Sequence, residues 1–123
     1  MRHFLLIFLG SGLGGVCRYG LTKWLTGWFP VVFPVGTLAV NVLACLIIGL
    51  LMGLADDRLW LGQTGRLLLA TGFCGGFSTF STFSTETLLL LRTGQSGPAL
   101  LYVGASLLLG LLATWLGLKI SGG

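Results

Sequence analysis

At 123 residues, 54% of them hydrophobic and only 8% charged, with a mean hydropathy of +0.98, the chain lies far from soluble domains, in which about a quarter of residues are charged. Its net charge of +4 comes from seven cations spread singly along the sequence, not from the clustered patch that phosphate recognition needs, so nucleic acid is not an expected partner. The 21 glycines show no collagen period and no polar low-complexity tract, and instead suit membrane helices whose backbones approach closely.

Crossing a hydrocarbon core takes about 20 apolar residues. Four stretches qualify, roughly 3–24, 34–55, 65–91 and 97–120, making 1–123 a single four-helix transmembrane domain in a lipid bilayer. The opening Met1-Arg2-His3 imitates a signal peptide, but no small-x-small cleavage site follows and Val16 before Cys17 does not suit a lipoprotein signal, so the stretch is read as the first span. Arg18 lies about a turn from the end of that span, and Lys23 follows. These two cations either form a positive vestibule that draws anions inward or snorkel to the headgroups.

Pro30 and Pro34 break the chain before the second span, where Asn41 stands alone in Gly36-Thr37-Leu38-Ala39-Val40-Asn41. Its amide offers two donors. Asp56-Asp57-Arg58 separates the second span from the third, and Gly94 through Pro98 precede the fourth, which carries Tyr102 and Ser106 four residues apart. Small-xxx-small pairs occur at Gly10 and Gly14, Gly49 and Gly53, and Gly72 and Gly76; each serves either contacts within the chain or a dimer seam. Cys17, Cys45 and Cys74 sit in apolar surroundings, odd in number and without a CxxC pair, and read as buried structural thiols.

The third span carries the chemistry. Phe-Ser-Thr repeats three times without a gap from Phe77 to Thr85. On a continuous helix, Phe77, Phe80 and Phe83 would fan over about 120° of one side, with a hydroxyl stripe on either flank. Six hydroxyls and three rings in nine residues, preceded by Gly75-Gly76, point to a polar pathway or a broken helix more than to hydroxyls bonding back one turn. Ring edges are positive and ring faces negative, so edges turned inward favour an anion and faces a cation; the sequence leaves that open. Glu86, the acid that ends the hydroxyl repeat, either pairs with a cation or terminates the polar track.

Four spans put Arg2, Arg58, Arg66 and Lys119 on one side and Arg18, Lys23 and Arg92 on the other. A bias of four against three is too small to set orientation, which predicts insertion both ways up and an antiparallel homodimer with its two-fold axis in the membrane plane.

Three motifs then resemble the Fluc (CrcB) family of fluoride channels over essentially the whole chain: Gly10 through Tyr19, Gly36 through Asn41, and Thr71 through Phe83. The resemblance implies an all-α, dual-topology homodimer of the bacterial inner (plasma) membrane. The third helix would be broken near its middle, and the dimer would hold two fluoride pores and one central structural sodium ion. The sodium ligands would be the backbone carbonyls of Gly75 and Ser78. Phe80 and Phe83 would present ring edges to fluoride, Asn41 would donate a hydrogen bond, and Ser81, Thr82, Tyr102, Ser106 and Glu86 would continue the polar track. Ser11, Gly15, Ala44-Cys45 and Ser78 depart from the family's usual residues, but small side chains are retained.

Two other readings compete. A small multidrug exporter would need a titratable carboxylate deep in a span, and Glu86 lies near the end of the third. A non-transporting membrane subunit would use the repeat as an interface. An enzyme is not expected, since His3 is terminal and no nucleophile has a base within reach.

Overall fold

Apolar residues on every side of a helix suit a hydrocarbon surrounding, and the two longest helices have that character. The computed structural model describes residues 1–28, 33–57 and 63–122, and the side chains of 55–57 and 63 are not described. Pro30 and Arg58 of the expected connections therefore lie outside the described residues. Helix α1 spans Arg2–Trp28 and α2 spans Val35–Asp57. One turn of α-helix, α3 (Gln63–Gly65), leads into a π-helix at Arg66–Cys74 and a further α-helical turn, α4 (Gly75–Phe77). Two extended residues follow, then α5 (Phe80–Arg92) and α6 (Ser96–Ile120).

Among the described residues three helices are long and apolar enough to cross a membrane: α1, α6 and, within α2, Val35–Leu54. The expected third span falls instead on two helical runs, 63–77 and 80–92, separated by Ser78 and Thr79. The turn between α5 and α6 has a physical origin in Gly94, whose φ of 79° lets its N–H reach Leu91 O at 3.2 Å while Gln95 N–H reaches Leu90 O at 2.8 Å. Pro98 lies in the first turn of α6, where its missing N–H costs nothing.

Glycines decide how the helices approach. A Cβ on Gly10 would overlap the Leu68 carbonyl, and one on Gly14 would overlap the Phe73 carbonyl and lie 2.7 Å from the Phe77 nitrogen. Helix α1 therefore lies directly on the backbone of the π-helix and α4. Opposite it, Gly72 faces Gly10, and Gly76 faces the Ser11 main chain. The extensive α2–α6 contact is built alike, with Gly49 on the Thr114 carbonyl and Gly117 on that of Leu46. All three small-xxx-small pairs thus serve packing within one chain, since Gly53 also abuts Ser121 and Leu118.

Two small apolar clusters result among the described residues. Val40, Ala44 and Phe77 form one, with Leu21 and Phe73 against them; Leu90, Ala99 and Tyr102 form the other, with Phe33, Leu38 and Phe83. Large apolar side chains such as Phe4, Phe8, Leu108 and Leu111 are left outward-facing, as lipid contact requires.

Candidate functional site

The chain leaves helical geometry at Ser78 (φ −82°, ψ 159°) and Thr79 (φ −152°, ψ 116°). The adjacent glycines expected to permit the departure are not where it happens. Gly75 keeps φ −63° and ψ −40°, and Gly76 serves the contact with α1. Replacement hydrogen bonds set the break instead. Asn41 Oδ1 accepts the Thr79 N–H at 2.8 Å, and Asn41 Nδ2 donates to the Thr79 carbonyl at 3.1 Å. Thr79 Oγ1 caps α5 by accepting the Thr82 N–H at 3.2 Å, and its own hydroxyl donates to Thr82 Oγ1 at 3.0 Å. Ser81 Oγ lies 3.5 Å from the same oxygen. Every polar atom of Thr79 is therefore satisfied without a continuous helix.

The break separates the phenylalanines that a continuous helix would align. Phe77 is buried and stacks on Phe73, with ring centroids 5.5 Å apart. Phe80, by contrast, is 78% exposed. Only Phe80 and Phe83 line the groove of about 240 Å³ beside the break, together with Asn41, Ser78, Thr79 and Ser106. Cys45 and Leu107 complete its wall.

Two of the residues that line this groove keep hydrogen-bonding capacity unspent among the described residues. Asn41 Nδ2 carries two hydrogens, of which Thr79 takes one. Ser106 Oγ is buried with no partner among the described residues, an arrangement that costs about 1–3 kcal/mol unless something fills the groove. From the groove an aromatic series leads on: Phe80 to Phe83 at 5.7 Å, then Phe83 to Tyr102 at 5.0 Å. Tyr102 is fully buried and donates from its phenol to Glu86 Oε1 at 3.0 Å. Glu86 in turn lines a second groove of about 260 Å³ with Pro34, Leu89, Leu90 and Thr93.

The expected site residues accordingly fall into groups. Asn41, Phe80, Phe83 and Ser106 meet at one groove; Tyr102 and Glu86 pair behind Phe83; Ser81 and Thr82 cluster on the Thr79 hydroxyl. Arg18 and Lys23 line neither groove, and Lys23 Nζ sits 5.7 Å from the centre of the exposed Tyr19 ring. Thr79 is the residue that sequence reasoning passed over. A threonine three residues before Thr82, at the head of an apolar helix, is the capping signal that would have marked it. The buried Thr37, on the same helix as Asn41, was likewise not singled out.

Gly75 and Ser78 both line a third groove, of about 250 Å³. A continuous helix would give the Gly75 carbonyl the Thr79 N–H and the Ser78 carbonyl the Thr82 N–H. Those donors go to Asn41 and to Thr79 Oγ1. Two hard oxygens thereby lose their helical donors, as a small hard cation would require.

Residues 5–118 match the family model described as CrcB-like protein, Camphor Resistance (CrcB). A relative in Acidobacterium capsulatum is 44% identical over 95% of this chain and 94% of its own length. Relatives in Nitratidesulfovibrio vulgaris and Thermus thermophilus are each 46% identical, over 96% and 99% of this chain and 95% of their own lengths. All three bear the name Fluoride-specific ion channel FluC. With the family model covering nearly the whole sequence and identity this high across it, the chain belongs to the CrcB family of membrane proteins.

Proposed function

We propose that this protein is a fluoride channel, letting cytoplasmic fluoride leave the cell down its electrochemical gradient and so limiting fluoride toxicity. The observation that carries this reading is the groove at Ser78–Thr79, whose wall brings together Asn41, Ser106, Phe80 and Phe83, with the Ser106 hydroxyl left without a partner among the described residues. A small, strongly hydrated anion gives up water only to closely spaced donors. Hydroxyl, amide and ring edges supply donors without a fixed positive charge that would trap the ion. Beyond the groove, the track runs past Phe83 to the Tyr102–Glu86 pair. The relatives' shared name supports fluoride over other anions. Such a protein is a channel and not an enzyme.

The same reading takes 63–92 as a third membrane span, broken at Ser78–Thr79, and the working unit as an antiparallel homodimer in the inner membrane with two pores. Phe80, Ser81, Thr82 and Thr85 lie exposed on α5. Hydroxyls facing lipid are costly, and a second, inverted copy would cover them. A sodium ion at the dimer centre would be held by the Gly75 and Ser78 carbonyls. There it would supply a fixed positive charge that ties the two broken spans together. This chain's own part would be to engage the usual helical donors of those carbonyls elsewhere.

Liposomes loaded with potassium fluoride and triggered by valinomycin test the proposal. Purified protein is expected to release fluoride rapidly and chloride negligibly. Absence of fluoride release from folded, dimeric protein would end this reading in favour of an exporter or a scaffold subunit.

A further inference from the structure

Cys45 on α2 and Cys74 at the end of the π-helix, 29 positions apart in the sequence, line the same groove of about 250 Å³, with Ala44, Gly75 and Ser78 among its walls. Cys74 is buried and Cys45 is half-buried, and both belong to the wall of this one groove. Neither is in a disulfide. Among the described residues no third histidine, cysteine or carboxylate joins them. Two sulfurs by themselves fall short of the four-ligand tetrahedron of a structural zinc site and suit soft cations content with two sulfurs in a line.

We propose that Cys45 and Cys74 together form a two-thiol binding site for a thiophilic divalent cation, with mercuric ion as its type. Charge selects the divalent ion. One Hg2+ replaces the two S–H hydrogens, two S–Hg bonds form, and two protons leave to water, so that a neutral bis-thiolate remains. A monovalent silver or cuprous ion on two thiolates would leave a net negative charge in an apolar surrounding, at considerable cost. Mercuric chloride is itself neutral and reaches such a site through the bilayer.

The site adjoins the ion pathway. Cys45 and Ser78 each line both this groove and the one containing Asn41, Phe80 and Ser106. A mercury bridge would pin α2 to the π-helix four residues before Ser78 and hold the break in one geometry. The effect on flux rests on the channel reading above; the binding does not.

The test uses the full-length Cys17→Ser protein, which removes the exposed thiol of α1. After treatment with mercuric chloride and desalting, intact mass is expected to rise by one mercury less two hydrogens per chain. Both thiols should be closed to N-ethylmaleimide until a dithiol strips the metal. In Cys45→Ser and Cys74→Ser backgrounds the mercury should be retained singly, with chloride still attached. The unsubstituted protein should show the same bridge plus one further mercury on Cys17. Mercury carrying chloride on each of Cys45 and Cys74, or one thiol left reactive, would overturn the site. Fluoride efflux is measured on the same samples, each variant against its own rate before mercury. Loss of most efflux with the Cys17→Ser protein but not with the further Cys45→Ser variant is expected. A preparation with no efflux before mercury would count against the channel reading alone, and the mass measurement would still decide the site.

Discussion

Asn41 spends one amide on both sides of a single residue, accepting from the Thr79 N–H and donating to its carbonyl. Asn41→Asp keeps an acceptor for the N–H but sets a charged oxygen against the carbonyl and removes the donor facing the groove. Fluoride efflux from liposomes should fall below detection, and the variant should unfold at lower temperature in detergent, since an unpaired buried carbonyl costs about 1–3 kcal/mol. Ser106 separates function from structure more sharply. Its hydroxyl has no partner among the described residues, so Ser106→Ala should leave thermal stability unchanged or slightly raised, within about 1 kcal/mol, while slowing fluoride efflux. A less stable Ser106→Ala protein with unimpaired efflux would show the hydroxyl to be structural. Tyr102 and Glu86 give the third contrast, because Glu86→Gln retains an acceptor for the phenol. The channel reading expects altered efflux with no requirement for a proton gradient, measured at equal pH on both sides; an exporter would lose transport altogether.

At the scale of elements, glycine decides which helices touch. Gly14 meets the backbone of Phe73 and Phe77, whereas Gly12, two residues earlier, has nothing within 4 Å of where its Cβ would be. Gly14→Ala should therefore force α1 off α4 and cost about 1–3 kcal/mol of stability, but Gly12→Ala should be tolerated or mildly stabilising by helix propensity. Thermal unfolding of the two variants in the same detergent makes the comparison. The α5 cap belongs at this scale as well: Thr79→Ala removes the acceptor for the Thr82 N–H and should cost about 1 kcal/mol. Sequence spacing showed that small residues recur, yet not which backbone each would meet, because Gly10 and Leu68 are brought together only by the way the helices cross.

For the whole molecule, the near balance of cations predicts that the chain inserts both ways up. His3 is exposed at the start of α1. In a Cys17→Ser background, a His3→Cys thiol should be labelled by a membrane-impermeant maleimide to about half from outside intact cells, with the rest labelled after permeabilisation, as the balanced charge bias requires. Labelling confined to one side would exclude the antiparallel dimer. Native mass spectrometry in mild detergent should in turn give two chains per particle. The four cations against three include Arg58, which lies outside the described residues.

The amino-acid sequence alone determined that this is a membrane protein of apolar helices, because hydropathy and charge act locally and are written residue by residue. It also marked Asn41, Phe80, Phe83 and Ser106, since polar and aromatic residues in an apolar span are conspicuous whatever surrounds them. Where the third helical region breaks was decided by tertiary structure. Gly75-Gly76 was the local signal, but a backbone leaves a helix in an apolar setting only where other groups take over its hydrogen bonds. Those groups are the amide of Asn41, 38 positions away, and the hydroxyl of Thr79. The break stands at Ser78–Thr79 because the fold delivers Asn41 there.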